Sequence, residues 1–102
     1  VGNGGFSLRK VESHITAIEK HQKITRNWWP HLEDIFWSIY LPTFDANFKI
    51  PKAGEAARFS LEAHPDYFFK KNGREIPFGC HAWGKDSGNY YNKNFWKQYI
   101  VY

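Results

Sequence analysis

The chain contains no methionine, a single cysteine, and no apolar run approaching the 18 residues that a membrane-spanning helix needs. One cysteine, Cys80, excludes an internal disulfide framework and any zinc site built from several thiolates. It fits a reducing compartment, and we expect a cytoplasmic location. No signal peptide is visible and no membrane segment is expected in this chain; if the chain is part of something longer, both absences concern this part alone. Charge is also thinly spread. Fourteen Lys and Arg stand against ten Asp and Glu, a net +4, and no basic run exceeds Lys70-Lys71. That field is too weak to imply nucleic acid, although it suits an anionic small molecule such as a nucleoside diphosphate. With no initiating methionine and Val1 opening directly on a glycine cluster, we expect a piece of a longer chain.

What the chain has in abundance is aromatic side chains: 5 Trp, 6 Tyr and 9 Phe in 102 residues. This length allows one domain, residues 1–102 as a single partial domain, and buries roughly 60–65% of the unfolded surface. Leu, Ile, Val and Phe together number 24, more than a disordered composition carries. The negative mean hydropathy of −0.64 does not oppose folding, because Trp and Tyr score as polar yet bury large areas.

Periodicity then outlines the elements. Ser7 reads as a helix cap, and Leu8, Val11, Ile15 and Ile18 recur at spacings of three and four, predicting an amphipathic helix over residues 8–23. Lys20, His21 and Lys23 sit where cations complement the helix dipole. Asn27-Trp28-Trp29-Pro30 breaks the pattern. Pro30 suits a helix start, and Leu32, Ile35, Phe36, Ile39 and Tyr40 predict a second helix ending before Pro42. Residues 42–54 read as loop with an extended piece, and residues 54–59 as a helical turn. The stretch 66–69 is ambiguous, and 71–74 is a turn. Ile76 to Gly84 reads as an irregular strand, and residues 89–102 as a last helix. The predicted class is α/β (or α+β), about three helices on a few short strands.

Three groups of residues could carry chemistry. Gly2-Asn3-Gly4-Gly5-Phe6-Ser7 is either a plain tight turn or a place where backbone approaches a ligand; Ser7 replaces the third glycine of the dinucleotide fingerprint. Glu33 and Asp34 are either acids that favour a helix start or a source of one general base. Adjacent helix positions diverge, so at most one can face a given site. His81, between Gly79 and Trp83, is either packed and satisfied, a phosphate partner or a metal ligand. Trp83 could stack on a sugar, although the abundance of aromatics favours core packing for any one of them. His14, His21, His31 and His64 read as surface or turn residues.

In order, Gly2-Asn3-Gly4-Gly5-Phe6-Ser7-Leu8-Arg9, Glu33-Asp34 and Pro77-Phe78-Gly79-x-His81-Ala82-Trp83 resemble an uncharacterised glycosyltransferase-like family, a domain of unknown function. The order is also similar to that of fringe and β-1,3-galactosyltransferase enzymes of the GT-A type. The resemblance implies the C-terminal, acceptor-side half of a GT-A-like domain, inactive by itself. It implies a nucleotide-sugar donor and a hydroxyl acceptor, glycan or lipid-linked. Asp34, or else Glu33, would be the base. Asn3, Gly4, Gly5, Phe6 and Trp83 would bind substrate, and His81 would be a late metal ligand. The divalent cation, Mn or Mg, would be held mostly by a D-x-D motif, and none occurs in this chain. Two rivals stay open: a non-catalytic carbohydrate- or protein-binding module, and a basic-aromatic nucleic-acid binder. Self-association through exposed apolar surface is a further expectation, since the aromatic load exceeds what a small core can cover.

Overall fold

A computed structural model describes residues 6–28, 30–88 and 90–100, and these fall into two compact units. The first comprises Ser7–Ile50. It opens with α1 (Val11–Lys20), preceded by Lys10 at the cap position without a capping side chain, so Ser7 does not cap it. At His21 the backbone leaves the helix (φ −119°, ψ 36°), and it resumes as α2 (Gln22–Trp28). The single helix expected over residues 8–23 is therefore two. The His21 side chain at this point meets Asp45, which is 5% exposed. A carboxylate removed from water needs partners. His21 donates Nε2–H to Asp45 Oδ2 at 2.7 Å, Lys20 Nζ lies 3.4 Å from the same oxygen, and the Asn47 amide donates to Oδ1 at 3.0 Å.

This pairing also fixes which way α1 faces. Ala17 is buried, and the His14 ring packs 4.5 Å from Trp37 and 5.2 Å from Phe48. The stripe of Leu8, Val11, Ile15 and Ile18 instead points outward, 44–68% exposed. Beyond Trp28 come α3 (Glu33–Ile35), a π-helical turn (Phe36–Tyr40) and α4 (Leu41–Phe44). The helix passes through Pro42 rather than ending before it. Proline has no N–H for the carbonyl one α-turn back and its ring crowds that carbonyl. The widened turn, with the Leu41 amide reaching back to Phe36 O, gives the needed room. Ala17, Phe36, Leu41 and Phe48 form the core, with Ile24, Trp28 and Trp37 packed around it.

The second unit comprises the residues from Pro51 onward together with Phe6. Glu55 accepts the Lys52 amide at 3.1 Å and so starts α5 (Ala53–Phe59), which runs straight into β1 (Ser60–Leu61). Proline at its first turn starts α6 (Pro65–Lys71). This helix supplies the crossover that a parallel pair requires, bringing β2 (Gly79–Cys80) beside β1 with Ser60 opposite Gly79 and Leu61 opposite Cys80. An antiparallel pair, β3 (Asp86–Ser87) and β4 (Tyr90–Tyr91), precedes α7 (Asn92–Trp96). The core is Ala57, Leu61, Phe69, Phe95 and Trp96. The class is mixed α/β as expected, but with more and shorter helices. The irregular strand over residues 76–84 pairs at two positions, and the last helix begins at Asn92.

Two predictions follow from these local constraints. A Cβ on Gly79 would lie 2.6 Å from the Phe6 ring, which stacks 5.0 Å from Phe59 in a three-ring cluster with Phe78. Gly79→Ala should destabilise the second unit by about 1–3 kcal/mol in urea unfolding; an unchanged midpoint would mean that the Phe6 ring is not held there. The Asp45 carboxyl is kept below its ordinary 3.8, first by the His21 hydrogen bond and then by the Asn47 amide and Lys20, against the opposing effect of burial. A depressed carboxyl pKa contributes stability above the unfolded value and loses it as pH falls through the folded one. Acid titration of the wild type should therefore show a loss of first-unit stability below 3.8. Asp45→Asn should be less stable at neutral pH and lack that acid limb.

Candidate functional site

In the first unit, α2 and the α3–π segment enclose a cleft of about 300 Å³. Trp28, Phe36 and Trp37 wall it, Ile18 adds aliphatic surface, and Thr25, Arg26, His31 and Glu33 supply its polar groups. α2 supplies Thr25, Arg26 and Trp28 to it, and α1 supplies Ile18. The Trp28 ring is fixed. Its Nε1–H donates to Leu32 O at 3.0 Å, and it packs against Tyr40 at 4.8 Å and His31 at 5.4 Å. The Thr25 hydroxyl spends its hydrogen on a helix carbonyl, with Gln22 O at 3.0 Å and His21 O at 3.1 Å within reach. Toward the cleft it can only accept.

Glu33 and Asp34 separate as adjacent helical residues must. Glu33 lines the cleft and forms an ion pair with Arg9, Nη2 to Oε2 at 2.9 Å; Arg9 Nε also donates to Ser7 Oγ at 3.1 Å. Two segments of the sequence resemblance thus meet in one contact. Asp34 is not among the cleft residues; its Oδ1 accepts the Ile35 amide at 2.9 Å. A second recess of about 240 Å³, lined by Ser13, Thr16, Asp45 and Asn47 among others, opens beside the buried carboxylate.

Phe6, His81 and Trp83 belong to the second unit. Phe6 packs with Phe59 and Phe78, so its place there is a packing one. His81 Nδ1 lies 3.0 Å from Glu62 Oε1, and its backbone amide donates to Leu61 O at 3.1 Å, extending the β1–β2 pairing. Trp83 is 46% exposed. Burial pushes the Cys80 thiol up from its ordinary 9.0, which makes it a poor nucleophile. Asn3, Gly4 and Gly5 lie outside the described residues. Among the described residues, no three His, Cys, Asp or Glu side chains gather as a metal site would require, and no helix is long and apolar enough to cross a membrane. The reading of single motifs missed Arg26, Trp28 and Trp37 as site residues and His21–Asp45 as a buried pair. The aromatic-proline cluster immediately before the acidic pair was the available signal for the cleft.

Comparison with curated proteins and with solved structures gives no match for this chain. A family model does match, over residues 1–81, from the glycine-rich opening through the acidic pair to His81. On that match the chain belongs to the family described as protein of unknown function (DUF5672).

Proposed function

We propose that the chain is the acceptor-side portion of a GT-A-like glycosyltransferase, moving a sugar from a nucleotide-sugar donor to a hydroxyl of a glycan or lipid-linked acceptor. The observation that carries this reading is a carboxylate, Glu33, on an aromatic-walled cleft large enough for one small ring. A base there takes the proton of the attacking hydroxyl, a contribution of roughly 10²–10⁴-fold. Position favours Glu33 over Asp34 for that role. The Arg9 partner does not forbid it. With the two side chains 32% and 53% exposed, such a pair is worth at most about 1 kcal/mol, so an acceptor hydroxyl can compete for the carboxylate. The donor's diphosphate and its Mn or Mg ion would be held by residues outside this chain. The described residues do not make a fitting metal site, and His81 shares its Nδ1 with Glu62.

The Arg9–Glu33 pair also favours a second reading, a non-catalytic carbohydrate-binding module in which that carboxylate is structural. The two readings part in a single experiment. In the natural full-length protein, supplied with nucleotide sugars and a divalent salt, Glu33→Gln should lower kcat by about 10²–10⁴-fold and leave donor binding intact, while Asp34→Asn stays within about tenfold of wild type. Wild-type turnover in Glu33→Gln removes the base assignment. Sugar binding without turnover in the wild type selects the binding module.

A further inference from the structure

We infer that the cleft takes a hexopyranose carrying a negative charge, a uronate or a sugar phosphate, rather than a neutral sugar. This deepens the reading of the cleft as the acceptor site and rests on it. Size comes first: about 300 Å³ lies at the low end of the roughly 300–1,000 Å³ usual for ligand sites, room for one sugar ring. Chemistry comes second. Rigid indoles suit the apolar face of a pyranose, and the Trp28 ring is already anchored through its Nε1–H to Leu32 O, so little side-chain entropy is lost on binding. The Thr25 oxygen, an acceptor toward the cleft, suits a sugar hydroxyl.

Charge decides the class. Glu33 is already compensated by Arg9 at 2.9 Å. Arg26 lines the same cleft and has no ion pair among the described residues. The site therefore carries one uncompensated guanidinium, a planar fork that matches a carboxylate or phosphate edge. A neutral sugar would leave that charge unused.

The test is a binding titration of the natural full-length protein, observed through its indole N–H resonances. The probes are methyl β-glucuronide, glucose 6-phosphate and methyl β-glucoside. The two anionic sugars should bind at least about tenfold more tightly than the glucoside, the worth of one charge-assisted hydrogen bond. They should shift the Trp28 and Trp37 resonances, identified by Trp→Phe variants. Arg26→Gln, a change at an exposed residue, should erase the preference and leave all three probes with similar affinities. Equal binding of all three probes, shifts confined to other tryptophans, no binding at all, or a preference that survives Arg26→Gln would each overturn the inference. Because no turnover is measured, the two proposals fail separately. A tenfold preference in a protein that transfers nothing sinks the transferase alone, whereas transfer to neutral acceptors without an anionic preference sinks this inference alone.

Discussion

Asp45 is a carboxylate almost wholly withdrawn from water, and much of the first unit can be understood as the arrangement that satisfies it. Its partners come from both sides of one helix break: Lys20 ends α1, and His21 is the residue at which the backbone departs from helical geometry. On the same helix Ala17 and His14 turn inward, the His14 ring against Trp37 and Phe48, and the aliphatic stripe of α1 faces out. Beyond the break, α2 carries Arg26 and Trp28 to the cleft. A buried, paired carboxylate is weak grounds for net stability, since desolvation offsets much of the attraction. What it supplies here is a specific geometry. Removing either partner would leave a charge or a polar ring without its match.

The second unit uses neutral amides in the same way. Its apolar core is five residues, too few to fix long connecting segments by packing alone. Asn72, 2% exposed, donates to Ala57 O at 3.0 Å and Glu75 O at 2.9 Å and accepts the Glu75 amide at 3.0 Å, tying α5 to the turn after α6. Asn92, fully buried, donates through Nδ2 to Ala82 O at 2.9 Å and through its backbone to Lys85 O at 3.1 Å. Ala82 has φ 53°, a left-handed value that costs a residue with a Cβ, and its carbonyl is held by that amide. The His81-Ala82-Trp83 segment is therefore positioned by a side chain ten residues away.

That distance explains what could be read from the order of residues and what could not. The turn over residues 71–74, the helical turn near residue 54 and the mixed class depend on neighbours in the chain, and they were legible. The helix limits were not. The departure at His21 falls where its ring meets a carboxylate 24 residues later, and the passage through Pro42 depends on a π-helical turn that no propensity announces. The stripe of Leu8, Val11, Ile15 and Ile18 has the period of a core face, yet periodicity says only that a face is apolar, not that this unit covers it. For the candidate site, the acidic pair was visible but its division was not. Adjacent carboxylates look equivalent in a sequence, and it took the placement of Trp28, Trp37 and Arg9 to distinguish Glu33 from Asp34.

The same contacts bear on why the three motifs occur together. Arg9, at the end of the glycine-rich opening, meets Glu33 of the acidic pair. Phe6, three residues earlier, meets Phe78 and lies where any side chain on Gly79 would stand. Both contacts are structural, and they account for Phe6, Arg9, Phe78 and Gly79 without appeal to catalysis. A motif can thus be specific because it packs. What those contacts and the core packing leave unexplained is an arginine on an aromatic cleft, without an acidic partner among the described residues. Arg26 is exposed and keeps its hydration, so its place on the cleft costs the fold nothing and leaves its guanidinium open to an anion.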